Sequence, residues 1–88
     1  MSPYFRGLYL DIGARSPSME HWLAQRAMAL RYVETGRRIV DQQRDRIARD
    51  KALGVDTDTA EGLLGTLVRS QLMFEEALAD LDRREPLE

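Results

Sequence analysis

The chain has 88 residues, 43% hydrophobic and 32% charged, with 13 Lys and Arg against 15 Asp and Glu for a net charge of −2. That length holds one small domain, and the near-neutral balance excludes both a histone-like polycation and an acidic tail. The absence of cysteine and the single histidine exclude disulfides, thiolate zinc, thiol catalysis and multi-histidine metal sites.

Residues 1–16 form a leader with Tyr4, Phe5, Leu8, Tyr9, Leu10 and Ile12 between Pro3, Gly7 and Gly13. Gly7 and Asp11 interrupt the apolar run and no small-residue cleavage site comes after it, so it is not a secretory signal. Three readings stay open: a flexible segment, a segment docking its aromatics on the helices, or sequence upstream of a true start at Met19.

Residues 17–52 read as one helix. Ser16 suits the N-cap and Pro17 the first helical position, where a missing N–H costs nothing. No proline follows before Lys51, and Gly36 is the weak residue. Gly54 is suited to a left-handed C-cap, so the loop is about 53–57. Asp56, Thr57 or Asp58 caps a second helix, Asp58 and Glu61 having capping-box spacing, and that helix runs to about Arg84 before Pro86.

In the second helix Ala60, Leu64, Leu67, Gln71, Phe74, Leu78 and Leu81 alternate four- and three-residue steps, a coiled-coil-like seam. A less regular stripe in the first comprises Leu23, Ala27, Leu30, Val33, Gly36, Val40, Gln43 and Ile47. The short loop predicts an all-α antiparallel hairpin in which paired residue numbers sum to roughly 110. Gly36 then faces Phe74, and Gln43 and Gln71 come close enough to hydrogen-bond. Residues 17–52 are net basic and 53–88 net acidic, which implies attraction across the hairpin.

More apolar surface is present than one hairpin hides. Trp22, Met28, Tyr32 and Ile39, with Val68, Leu72 and Met73, fall outside the two seams and make the candidate interface. They predict either a homodimer completing a four-helix bundle or docking on another protein, unless residues 4–12 fold back over them.

The candidates for chemistry are weak. His21 has Glu20 as its one obvious neighbour; the carboxylate pairs Glu75–Glu76 and Asp80–Asp82 fit a solvated helix face, and the Glu-x-x-His motifs of a di-metal bundle are absent. Asp56, Thr57 and Asp58 open like a calcium loop but lack its remainder. No catalytic, metal or cofactor residue is assigned. Arg37, Arg38, Arg44, Arg46 and Arg49 are the alternative, a nucleic-acid surface, but Asp41, Asp45 and Asp50 interleave with them. No window nears the roughly 20 apolar residues of a membrane span, and with no Asn there is no N-glycosylation sequon.

The pattern Gly36-x-Arg38-Ile39-x-x-Gln42-x-x-x-Arg46-Ile47, then Gly54-x-Asp56-Thr57-x-x-Ala60-x-x-Leu63-Leu64-x-x-Leu67, resembles a group of small alphaproteobacterial helical-hairpin proteins with no assigned activity. The resemblance spans residues 33–74. It departs over residues 1–18 and at Val55, where that group frequently has His. It implies a helical hairpin and a bacterial cytoplasmic setting, and carries over no catalytic residue. The expected function is that of a non-enzymatic adaptor or regulator acting through protein contact or self-association.

Overall fold

The computed structural model describes residues 17–86. The leader and the proposed Ser16 cap lie outside them. Two helices, α1 (Pro17–Ala52) and α2 (Asp58–Arg83), pack as an antiparallel hairpin, within a residue of the expected boundaries.

The turn is built from specific closures. Gly54 takes φ +76°, the left-handed conformation that favours glycine. Gly54 N–H donates to Lys51 O and Val55 N–H to Asp50 O, the paired bonds of a Schellman motif, so the last carbonyls of α1 are satisfied. On the other side Thr57 is the N-cap, and it caps without a side-chain bond to the helix backbone. Asp56 Oδ1 instead accepts from Asp58 N–H at 2.9 Å, and buried Thr57 donates Oγ1–H to Glu61 at 2.9 Å. Asp58 is therefore the first helical residue, and the expected Asp58–Glu61 capping box does not form.

The α1 seam runs Trp22, Arg26, Ala29, Val33, Gly36, Val40, Gln43, Ile47, in alternating steps of four and three. The stripe expected from periodicity matches it from Val33 onward and falls one residue late before it. Ala27, expected inside, is exposed, and Trp22, expected on the flank, is buried. The reason is directional: Trp22 Nε1–H donates to Leu81 O at 2.7 Å near the end of α2, which an aliphatic side chain at position 23 could not do.

Cross-hairpin partners have numbers summing to between 103 (Trp22 with Leu81, Gln43 with Ala60) and 112 (Arg37 with Glu75, Lys51 with Glu61), a range that includes the expected 110 and centres a few residues below it. The two seam glutamines consequently miss each other. Gln43 Nε2 donates to Ala60 O at 3.0 Å and Gln71 Nε2 to Val33 O at 2.9 Å, so each holds the backbone of the opposite helix. Gly36 faces Gln71 rather than Phe74: a Cβ there would lie 1.8 Å from Gln71 Oε1. The missing side chain makes room for a buried amide. Its Oε1 accepts no hydrogen bond among the described residues and rests against the Gly36 backbone.

Burial is sparse. Among the described residues the buried apolar side chains are Trp22, Val33, Val40 and Ile47, with Val33 alone fully enclosed.

Candidate interaction faces

Two long helices joined in one seam leave two lateral faces, and sequence spacing decides what each presents. Arg37, Arg44 and Lys51 recur every seven residues on α1; Glu61, Val68, Glu75 and Asp82 do so on α2. These stripes meet on one side. Lys51 Nζ lies 2.9 Å from Glu61, Arg37 Nε 3.3 Å from Glu75, and Arg26 Nε 2.5 Å from Asp82. All three ion pairs that join the helices among the described residues lie on this face.

The pairing perturbs the carboxylates. Glu61 is held below the ordinary carboxylate range by the Lys51 ammonium and then by the Thr57 hydroxyl. Glu75 is lowered by the Gln71 amide and then by Arg37. Lys51 and Arg26 are raised by the same contacts, with Glu61 and Asp82 respectively. Arg44 is the exception in the ladder. Its slot on α2 is Val68, and its ion pair is to Asp41 of its own helix at 3.9 Å. Beside it Arg44, Ile47, Ala48, Lys51, Glu61 and Leu64 line an open groove of about 490 Å³.

The opposite face differs in kind. Tyr32 and Phe74 stack across the hairpin there, with ring centroids 5.6 Å apart. Helical spacing puts Met28 beside Tyr32 and Ile39 two turns further along the same side of α1, and on α2 it puts Met73 next to Phe74 and Leu63 three turns away on that side. All six side chains are substantially exposed, from 38% for Phe74 to 68% for Met73. No interhelical ion pair crosses this face among the described residues.

The seven candidate interface residues are therefore not one surface. Trp22 belongs to the seam. Met28, Tyr32, Ile39 and Met73 share the apolar face, while the ladder stripe places Val68, and next to it Leu72, on the salt-bridged side. Leu63 and Phe74 join the apolar face without having been expected there. Phe74 has seam spacing, and nothing in the sequence marks its ring as turned outward onto Tyr32; Leu63 adjoins the seam residue Leu64.

The arginine set divides likewise. Arg37 and Arg44 are engaged in ion pairs, whereas Arg38, Arg46 and Arg49 make none among the described residues; Arg31, outside the expected set, joins them. Helical spacing turns Arg31 and Arg38 away from α2, and sets Arg46, seven residues after Ile39, with Arg49 at the loop end of the apolar face. Ile39, Gln42, Gln43, Arg46 and Arg49 line a second open groove of about 360 Å³.

His21 is exposed. No group of three or more His, Asp or Glu is gathered for metal binding among the described residues, and no described helix is long and apolar enough to cross a membrane. Comparison with known protein families, curated proteins and solved structures finds no match.

Proposed function

We propose that the chain is a non-enzymatic adaptor or regulator that works by protein contact through the face carrying Met28, Tyr32, Ile39, Leu63, Met73 and Phe74. One observation carries the reading: the three interhelical ion pairs lie on one side, and six of the nine exposed large apolar side chains lie on the other, Leu53 and Val55 being at the turn and Leu72 beside the ladder. A cluster of exposed large apolar side chains such as Met28, Tyr32, Ile39, Met73 and Phe74 is uncommon on a soluble monomer and marks a contact surface. The composition agrees, since a chain with no cysteine and one histidine is poorly supplied for nucleophilic or acid–base chemistry. A four-helix bundle made with a second copy, and docking on a different protein, are the two forms this contact takes. Membership in the alphaproteobacterial hairpin group, and with it a bacterial cytoplasm, belongs to the same proposal and rests on the residue pattern of 33–74.

The test compares the wild-type chain with Tyr32→Glu on the apolar face and Leu72→Glu on the other. Assembly, whether self-association in sedimentation or capture of a specific protein, is expected to be lost with Tyr32→Glu and kept with Leu72→Glu. Equal behaviour of all three chains refutes the reading. The alternative, a nucleic-acid surface, is favoured by Arg31, Arg38, Arg46 and Arg49, which have no ion-pair partner among the described residues. It requires retention on DNA that falls steeply with salt.

A further inference from the structure

On the proposed reading, that the apolar face is a contact surface, we infer that its occupant is a second copy of this chain, arranged so that each basic α1 lies along the acidic α2 of its partner with both loops at the same end. A helix in a four-helix bundle needs a second seam about a quarter-turn from the first. Both helices have one, on the same face. In steps of four and three it runs Met28, Tyr32, Thr35, Ile39, Gln42, Arg46, Arg49 on α1, polar toward the loop, and Leu63, Thr66, Ser70, Met73, Ala77 on α2.

Two features select α1 against the partner's α2 over each helix against its own copy. The first is size. Apart from Thr35, which the hairpin register sets level with Met73, the α1 seam carries large side chains, and the α2 seam has the small residues Thr66, Ser70 and Ala77 among its members. With loops together, the hairpin's own register sets the heights. Tyr32 then comes level with the Met73–Ala77 stretch of the other copy, and Ile39 with Thr66–Ser70. Large residues meet small ones and interdigitate at interior packing density. The reverse arrangement sets large against large on one side and small against small on the other.

The second feature is charge. Helix α1 has eight basic and five acidic residues and α2 has two basic and six acidic. Loops together, every helix neighbours two of opposite sign; loops apart, like helices adjoin. Arg31 and Glu76 have no ion-pair partner among the described residues, and this arrangement brings them level across the new seam. It also brings Arg38 level with Arg69, a like-charge pair that offsets part of this gain and is eased by the Arg69 guanidinium turning back on the Thr66 hydroxyl.

The absence of native cysteine provides a direct test. Val55→Cys in the exposed loop is spin-labelled in the full chain, and label-to-label distance is read by pulsed dipolar spectroscopy beside sedimentation. A dimer with a short distance, on the order of 15–30 Å, is expected. A dimer with a distance near the helix length, about 50 Å for 36 residues at about 1.5 Å each, overturns the arrangement and leaves the contact reading standing. A monomeric mass with no dipolar signal at about 100 µM overturns the second copy as occupant, and the contact reading then stands or falls on protein capture alone. Dimerisation that survives Tyr32→Glu but not Leu72→Glu, with helicity retained in both, moves the interface to the other face and overturns both.

Discussion

Gly36→Ala is the sharpest probe of how this hairpin is held. In an unpartnered helix the change stabilises, by about 1 kcal/mol of helix propensity. Here the new Cβ falls 1.8 Å from Gln71 Oε1 and 2.9 Å from its Cδ, so the amide must shift, and the expectation is that it leaves its site. Leaving breaks the 2.9 Å bond to Val33 O and the 3.1 Å bond to Glu75. Those two bonds, at about 1 kcal/mol each net, together with some desolvation of the displaced amide, come to about 2–3 kcal/mol. The single variant is therefore expected to lose about 1–2 kcal/mol. In a Gln71→Ala background the clash is gone and the same substitution is expected to gain about 1 kcal/mol. The coupling, about 2–3 kcal/mol with a reversal of sign, is read from urea midpoints by far-ultraviolet circular dichroism. All four chains are compared at one protomer concentration, because association couples stability to concentration. If Gly36→Ala shifts the midpoint equally in both backgrounds, the amide does not occupy the glycine's space and the reasoning fails.

Other outcomes rest on the same contacts. Trp22→Phe keeps most of the buried ring but removes the Nε1–H bond to Leu81 O, and is expected to cost about 0.5–1.5 kcal/mol more than a Phe-for-Trp volume change alone, measured by thermal denaturation. Val68→Glu fills the neutral rung opposite Arg44 and is expected to stabilise by a few tenths of a kcal/mol at low salt, an effect that 1 M salt removes; Val68→Lys is expected to destabilise. Glu61 and Glu75 have folded-state pKa values below the unfolded value near 4.5, so their contribution is present above that pH and is lost as pH falls through the lower folded values. Melting temperature should therefore hardly respond to these two groups between pH 6 and 8 and fall below about pH 4.5. The double variant Glu61→Gln, Glu75→Gln should show a shallower fall; an unchanged acid limb counts against the ladder's contribution.

The helices were legible because their punctuation is local. Pro17, Gly54 and Pro86 act through backbone geometry that no distant contact overrides, and both helices end within a residue of where these signals place them. The seam was legible only where one residue in each step is apolar. Trp22 stands next to Leu23 and Ala29 next to Leu30, so periodicity cannot choose between two stripes one residue apart. The choice is made by an indole reaching a carbonyl 59 residues away. The few-residue offset of the register has the same origin: the Schellman closure and the Asp56–Thr57 capping fix the turn, and neither is a matter of periodicity. The division into a charged face and an apolar face was half visible. Met28, Tyr32 and Ile39 could be picked out as surplus, but which side of α2 they share depends on the register.

The bonds that set the register have an evolutionary consequence. Trp22, Gln43 and Gln71 each grip a main-chain carbonyl of the opposite helix, at Leu81, Ala60 and Val33. Every amino acid supplies that carbonyl. Mutational drift at the three gripped positions is therefore uncoupled from the three gripping ones, and substitutions there alter packing without erasing alignment. A deep mutational library should show it as an asymmetry, with intolerance concentrated at 22, 43 and 71 and latitude at 60 and 81.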